Sequence, residues 1–114
     1  MPFNDSGESW RFFMEEKYYM SIVHINSFAG NGMFRPGLIL RLKKDHDNPY
    51  DDEAIAVYGN TGAKFGYVAN STHSVCRGTH SADWFQHLFK EEAECQIMFV
   101  ADDFAIAQFL SEDQ

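Results

Sequence analysis

Between Leu38 and Tyr58 the chain reads as strand, rigid turn and strand, and this run constrains the fold more than any other stretch. Leu38, Leu40 and Leu42 alternate with Ile39, Arg41 and Lys43, the period of two of a half-buried strand with one cationic face. The strand ends at Leu42, and Asn48-Pro49-Tyr50-Asp51 makes a turn. Pro49 fixes its own φ and removes a donor, Asn48 is pushed toward extended backbone, and Asp51 can accept from nearby N–H groups. A second strand starts at Ala54 and runs to Tyr58, with Ile55 and Val57 facing inward. Gly59-Asn60-Thr61-Gly62 turns the chain again, and Lys64 to Ala69 returns as the hairpin partner.

The flanks extend this β pattern. Residues 1–17 read as a flexible extension and 18–110 as the folded domain. Tyr18 to Ile25 is a strand rich in aromatic and β-branched residues, broken by Gly30-Asn31-Gly32. Asn70 to His80 is a loop. Ser81 caps a short helix in which Trp84/Leu88 and Phe85/Phe89 meet at i,i+4 spacing. Ala93, Cys95, Ile97 and Phe99 form the inner face of a further strand, Asp102-Asp103 turns it, and Phe104 to Leu110 pairs back. The expected fold is mainly β with one or two short helices, a small OB-like or SH3-like barrel.

At 114 residues and 45% hydrophobic content, one domain with a single core is expected. No apolar run approaches the ~20 residues of a membrane span. The first residues, Met1-Pro2-Phe3-Asn4-Asp5, lack the layout of a signal peptide. A cytoplasmic protein with no membrane contact is therefore expected, with Cys76 and Cys95 as free thiols.

The net charge of −8 argues against tight generic binding to nucleic acid, which requires cations to displace phosphate counterions. Its distribution is uneven. Four cations and no acid lie between Arg35 and Lys44, whereas seven acids and no cation follow from Glu91 onward. A locally basic face is compatible with that pattern.

Tyr50 is the least expected residue of the turn, since an aromatic there contributes nothing to turn geometry. Beside a cationic strand face it is a candidate platform for base stacking, worth ~1–3 kcal/mol per base. Asp51, its neighbour, repels phosphate but suits a hydroxyl. Arg41, Lys43 and Lys44 are candidates to line a phosphate groove. Lys64 and Arg77 are further cations with no spacing to support them. His73-x2-Cys76-x3-His80 offers three metal ligands where a closed zinc site needs four, so no metal and no cofactor are expected. Asp45/Asp47 and Asp51/Asp52 lack a nucleophile or base partner, so an enzyme is not expected.

The Asn48-Pro49-Tyr50-Asp51 turn, the following Ala54-Ile55-Ala56-Val57 and then Gly66-Tyr67-Val68 resemble the HIRAN domain, over roughly Ser21 to Phe99. This is a small β-module fused to DNA helicases and repair proteins, and also found alone in bacteria and phages. The stretch Gly66 to Ala82 looks most like its short stand-alone members. The resemblance implies an OB-like barrel that holds the 3′ end of single-stranded DNA, with a link to DNA repair or replication. It assigns stacking on a base to Tyr50 and contact with the DNA end to Asp51, in the turn begun by Asn48. It places Tyr67 on the ligand side. Where DNA-end-binding members carry a basic residue and an aromatic before the first glycine loop, this chain has Asn26-Ser27-Phe28-Ala29-Gly30. Phe28 is the candidate aromatic, and the cation is missing. Where the family often has Lys or Arg after the second motif, this chain has Ala69 and Asn70. Weak, salt-sensitive binding is therefore expected. The rival expectation is an acidic protein-interaction module or phage-type regulator with a protein partner.

Overall fold

A computed structural model describes residues 17–112, so the expected extension lies almost wholly outside the described residues. Six antiparallel strands close into a barrel: β1 (Tyr19–Val23), β2 (Ile39–Lys44), β3 (Ile55–Tyr58), β4 (Lys64–Val68), β5 (Glu92–Val100) and β6 (Ala105–Glu112). Around the barrel the order is β1-β4-β3-β2-β5-β6, with β6 pairing back onto β1. One four-residue helix, α1 (Ala82–Phe85), plugs one end. Among the described residues no helix is long and apolar enough to cross a membrane.

The period-two pattern sets the core. Leu40, Leu42, Ile55, Val57, Ala93, Cys95 and Ile97 are buried together with Met20, Ile22 and Phe85. The outward phase of β2 leaves Ile39 and Lys43 exposed, as the alternation implies. The long loop after β4 is tied down by Ser21, the buried polar residue of β1. Its Oγ lies 2.9 Å from Thr79 Oγ1 and accepts from Cys76 N at 3.0 Å.

Three local expectations change. β1 stops at Val23 rather than Ile25, because His24 adopts φ 61 and Ile25–Ser27 winds into a 3₁₀ turn. The helix is too short to carry Trp84/Leu88 and Phe85/Phe89 on one face. Ser81 Oγ caps it as expected, accepting from Trp84 N at 3.3 Å, but Phe85 stacks at 5.7 Å on Phe109 of β6 instead. Phe99 faces solvent, 55% exposed, because a β-bulge between Ile97 and Phe99 shifts the phase of β5.

Both cysteines are free, and their surroundings differ. Burial pushes the Cys95 thiol up to about 12, whereas Cys76 is half-buried in the loop. The thiolate is the reactive form. In native protein at neutral pH, Cys76 is therefore expected to react with a thiol reagent while Cys95 stays silent until denaturant is added. Two fast equivalents in a native titration would contradict this packing.

Candidate nucleic-acid interface

The turn after β2 is built by its own side chains. Asn48 Oδ1 accepts from Tyr50 N at 2.9 Å and from Asp51 N at 3.0 Å. Asp51 Oδ1 accepts from Glu53 N at 2.9 Å, which leads the chain into β3. The Asn48 and Asp51 side chains are thus spent on the turn's own backbone, and the Tyr50 ring is left 95% exposed, away from Leu38, Leu40 and Ile55.

Beside this turn lies an open cleft of about 540 Å³. Asn48, Pro49, Tyr50 and Asp51 form one wall, Tyr67 and Asn70 the facing one, and His24 lies at the rim. Asn70 joins the walls. Its Nδ2 donates to Asp51 Oδ2 at 3.0 Å and to Glu53 Oε1 at 3.1 Å, while its Oδ1 accepts from Asp83 N at 2.8 Å. The Asp51 carboxylate is thereby held rigid with acceptor capacity to spare, since an ionised carboxylate offers about four lone-pair sites.

Asp83 raises the Glu53 pKa from its ordinary value, chiefly through a side-chain hydrogen bond, against the lowering effect of Asn70. A carboxyl with a raised folded-state pKa favours the fold below that pKa and loses this contribution as pH rises through it. Glu53→Gln is therefore expected to raise the melting temperature slightly at pH 7 and not at pH 4. Equal shifts at both pH values would contradict this influence of Asp83 on Glu53.

The Tyr67 wall carries the cation that spacing had not supported. Lys64 Nζ donates to Tyr67 Oη at 2.8 Å, and that hydroxyl donates to Asp45 Oδ2 at 3.3 Å. The ammonium lies 4.8 Å from the Tyr67 ring centre, 5.5 Å from Phe28 and 5.9 Å from Tyr58. Phe28, 45% exposed, sits with its ring 6.0 Å from that of Tyr67. In a regular strand, residues three apart face opposite sides. Here Val57 pairs with Gly66 but Tyr58 with Lys64, so one extra residue in β4 brings Lys64 onto the Tyr67 side. A bulge of this kind has no signature in the alternation pattern.

The expected phosphate groove on β2 separates into different environments. Arg41 and Lys43 line a second hollow of about 360 Å³ with Tyr58, Asn60 and Glu92. Arg41 is ion-paired to Glu92 at 2.7 Å, and Lys43 lies opposite Glu92 in the β2–β5 register. Lys44 points elsewhere: its Nζ donates to Gln86 O at 2.9 Å and lies 5.0 Å over the Phe89 ring. Of the weak metal candidates, His73 is exposed and His80 stacks on Trp84 with ring centres 3.6 Å apart. Among the described residues, no group of three His, Cys, Asp or Glu side chains is arranged to hold a metal ion.

The cleft thus combines the exposed Tyr50 ring, the Asp51 carboxylate fixed by Asn70, and a second aromatic, Tyr67, which holds the Lys64 ammonium beside it. The HIRAN domain family model matches residues 17–76, more than half of the chain, and includes both the turn and the Tyr67 strand. The chain belongs to the HIRAN domain family. The family is known as a DNA-binding module. A crystal structure of a protein from Lactobacillus plantarum is similar to this HIRAN barrel in fold, with a TM-score of 0.54 and 17% identity over 84% of this chain and 97% of that one. The crystal structure of the HIRAN domain of human HLTF gives a TM-score of 0.47 and 17% identity, over 85% of this chain and 77% of that one. No curated protein matches the chain by sequence.

Proposed function

We propose that this HIRAN domain is a non-catalytic module that binds single-stranded DNA at its 3′ end, in a repair or replication setting. One observation carries the reading: a tyrosine ring 95% exposed on a turn held by the Asn48 and Asp51 side chains, directly beside a fixed carboxylate. Such a ring gains most by covering a flat apolar partner, and a base is one. Asp51 accepts from the terminal hydroxyl, and it disfavours a phosphate at the same place by charge repulsion. Tyr67 lines the cleft with Phe28 beside it, while Arg41 and Lys43 line a separate hollow.

Titration of a labelled single-stranded oligonucleotide across a range of salt concentrations tests the proposal. Few phosphate contacts predict a shallow slope of log affinity against log salt, on the order of −1 to −3 at about 0.7 per neutralised phosphate. If no binding occurs even at low salt, the DNA reading fails and an acidic protein-interaction module takes its place.

A further inference from the structure

The acid-rich composition leaves the cleft with little positive charge, and both positions where the sequence departs from basic residues, Asn26 and Asn70, carry neutral amides engaged elsewhere. Asn26 Nδ2 donates to Asp102 O at 2.8 Å and its Oδ1 accepts from Asn31 N at 3.1 Å. Asn70 spends both ends of its amide on the turn and the helix start. Neither side chain is a cation, and neither is available to replace one.

We propose that Lys64 supplies the missing phosphate-binding cation, brought beside the cleft residue Tyr67 by the β4 bulge and held against its ring until a nucleotide arrives. The inference rests on the DNA-end reading and gives a role to a cation that the sequence names without any spacing to support it. The ammonium sits among three rings, those of Tyr67, Phe28 and Tyr58, and makes a hydrogen bond with the Tyr67 hydroxyl. The rings attract a cation through their faces without neutralising it. The nearest carboxylate on the hydrogen-bonded path, Asp45, is reached only through the Tyr67 hydroxyl. Lys64 therefore holds a full charge beside the surfaces that a base would cover. Its bond to Tyr67 raises the ammonium pKa from the ordinary value, so the group remains charged throughout the neutral range. The flexible four-carbon stem lets the ammonium move a few ångströms to a phosphate while the rings stay in place. Arg41 differs: its guanidinium is already ion-paired to Glu92 and lines the other hollow.

The same contact gives Lys64 a positioning role, because it fixes the Tyr67 hydroxyl. The two roles separate in the salt dependence. A lost phosphate contact reduces the slope of log affinity against log salt by about 0.7, whereas a misplaced ring lowers affinity equally at all salt concentrations. The experiment is fluorescence anisotropy of a labelled ten-nucleotide oligo(dT) with a free 3′ hydroxyl, at several salt concentrations. It compares wild type, Lys64→Ala, Lys64→Arg, Tyr67→Phe and Tyr50→Ala, each checked by thermal melting. Lys64→Ala is expected to flatten the slope by about 0.7, and Lys64→Arg to restore it. Tyr67→Phe, which removes the hydroxyl and keeps the charge, is expected to retain the wild-type slope. If Lys64→Ala keeps the wild-type slope while Tyr50→Ala still weakens binding, the assignment of Lys64 is overturned and the DNA-end reading survives. A wild type that binds no oligonucleotide overturns both.

Discussion

Gly66→Ala is expected to destabilise the barrel by ~1–3 kcal/mol, the usual cost of forcing extra volume into a packed site. A Cβ at this position would lie 2.6 Å from the backbone oxygen of Val23 and 3.1 Å from Ile22 Cγ2. Both neighbours belong to β1, which meets β4 through the short register Ile22↔Val68 and Val23↔Tyr67. This is a short pairing of the barrel, and a carbonyl in it cannot move without parting the strands. For a domain of about this size, each kcal/mol corresponds to ~4–8 °C in melting temperature. Two other glycines calibrate the effect. At Gly59 a Cβ meets the edge of the Phe65 ring at 2.6 Å, and a side chain can shift, so a smaller loss is expected there. At Gly32 it meets nothing within 4 Å, so Gly32→Ala should melt like wild type. A Gly66→Ala protein that matched Gly32→Ala would show that the pairing is looser than described.

Tyr50→Ala is expected to weaken oligonucleotide binding roughly 5- to 140-fold, the equivalent of one stacked base. The loss should be similar at every salt concentration, because the ring carries no charge. Stability should hardly change, since the ring is 95% exposed and the turn is held by Asn48 and Asp51 instead. Tyr50→Phe keeps the flat surface and should bind nearly as well as wild type. Unaltered affinity in Tyr50→Ala, with the fold intact, would remove the stacking platform from the account.

The strands were legible because one face of each is buried, and burial writes itself as a period of two. The Leu40/Leu42 and Ile55/Val57 faces followed from that alone, and so did the return of β4. The turn was legible from the chemistry of Asn48 and Pro49. Pattern reading failed where the ladder carries an extra residue. The bulge opposite Tyr58 brought Lys64 beside Tyr67, and the bulge after Ile97 turned Phe99 outward. A bulge changes the phase without changing composition, so alternation misassigns every side chain that depends on it. The surroundings of the cationic β2 face were not legible for another reason: the acid that meets Arg41 comes from β5, some fifty positions later in the chain. Arg41 and Glu92 are neighbours only once the barrel closes, and no local window contains both. Asn70 was passed over likewise, because its role as a brace between the turn and α1 exists only in three dimensions.

The central claim is that the cleft beside Tyr50 reads a free 3′ hydroxyl. The most direct test compares the affinity of the wild-type protein for two single-stranded oligonucleotides that are identical except that one ends in a 3′ hydroxyl and the other in a 3′ phosphate. A hydrogen bond from the hydroxyl to the Asp51 carboxylate is of the charged kind, worth ~1.5–3 kcal/mol, so the hydroxyl form is expected to bind about tenfold tighter or better. Asp51→Ala should bring the two affinities together. Equal binding of both oligonucleotides by the wild-type protein, or a preference for the phosphate end, would contradict it.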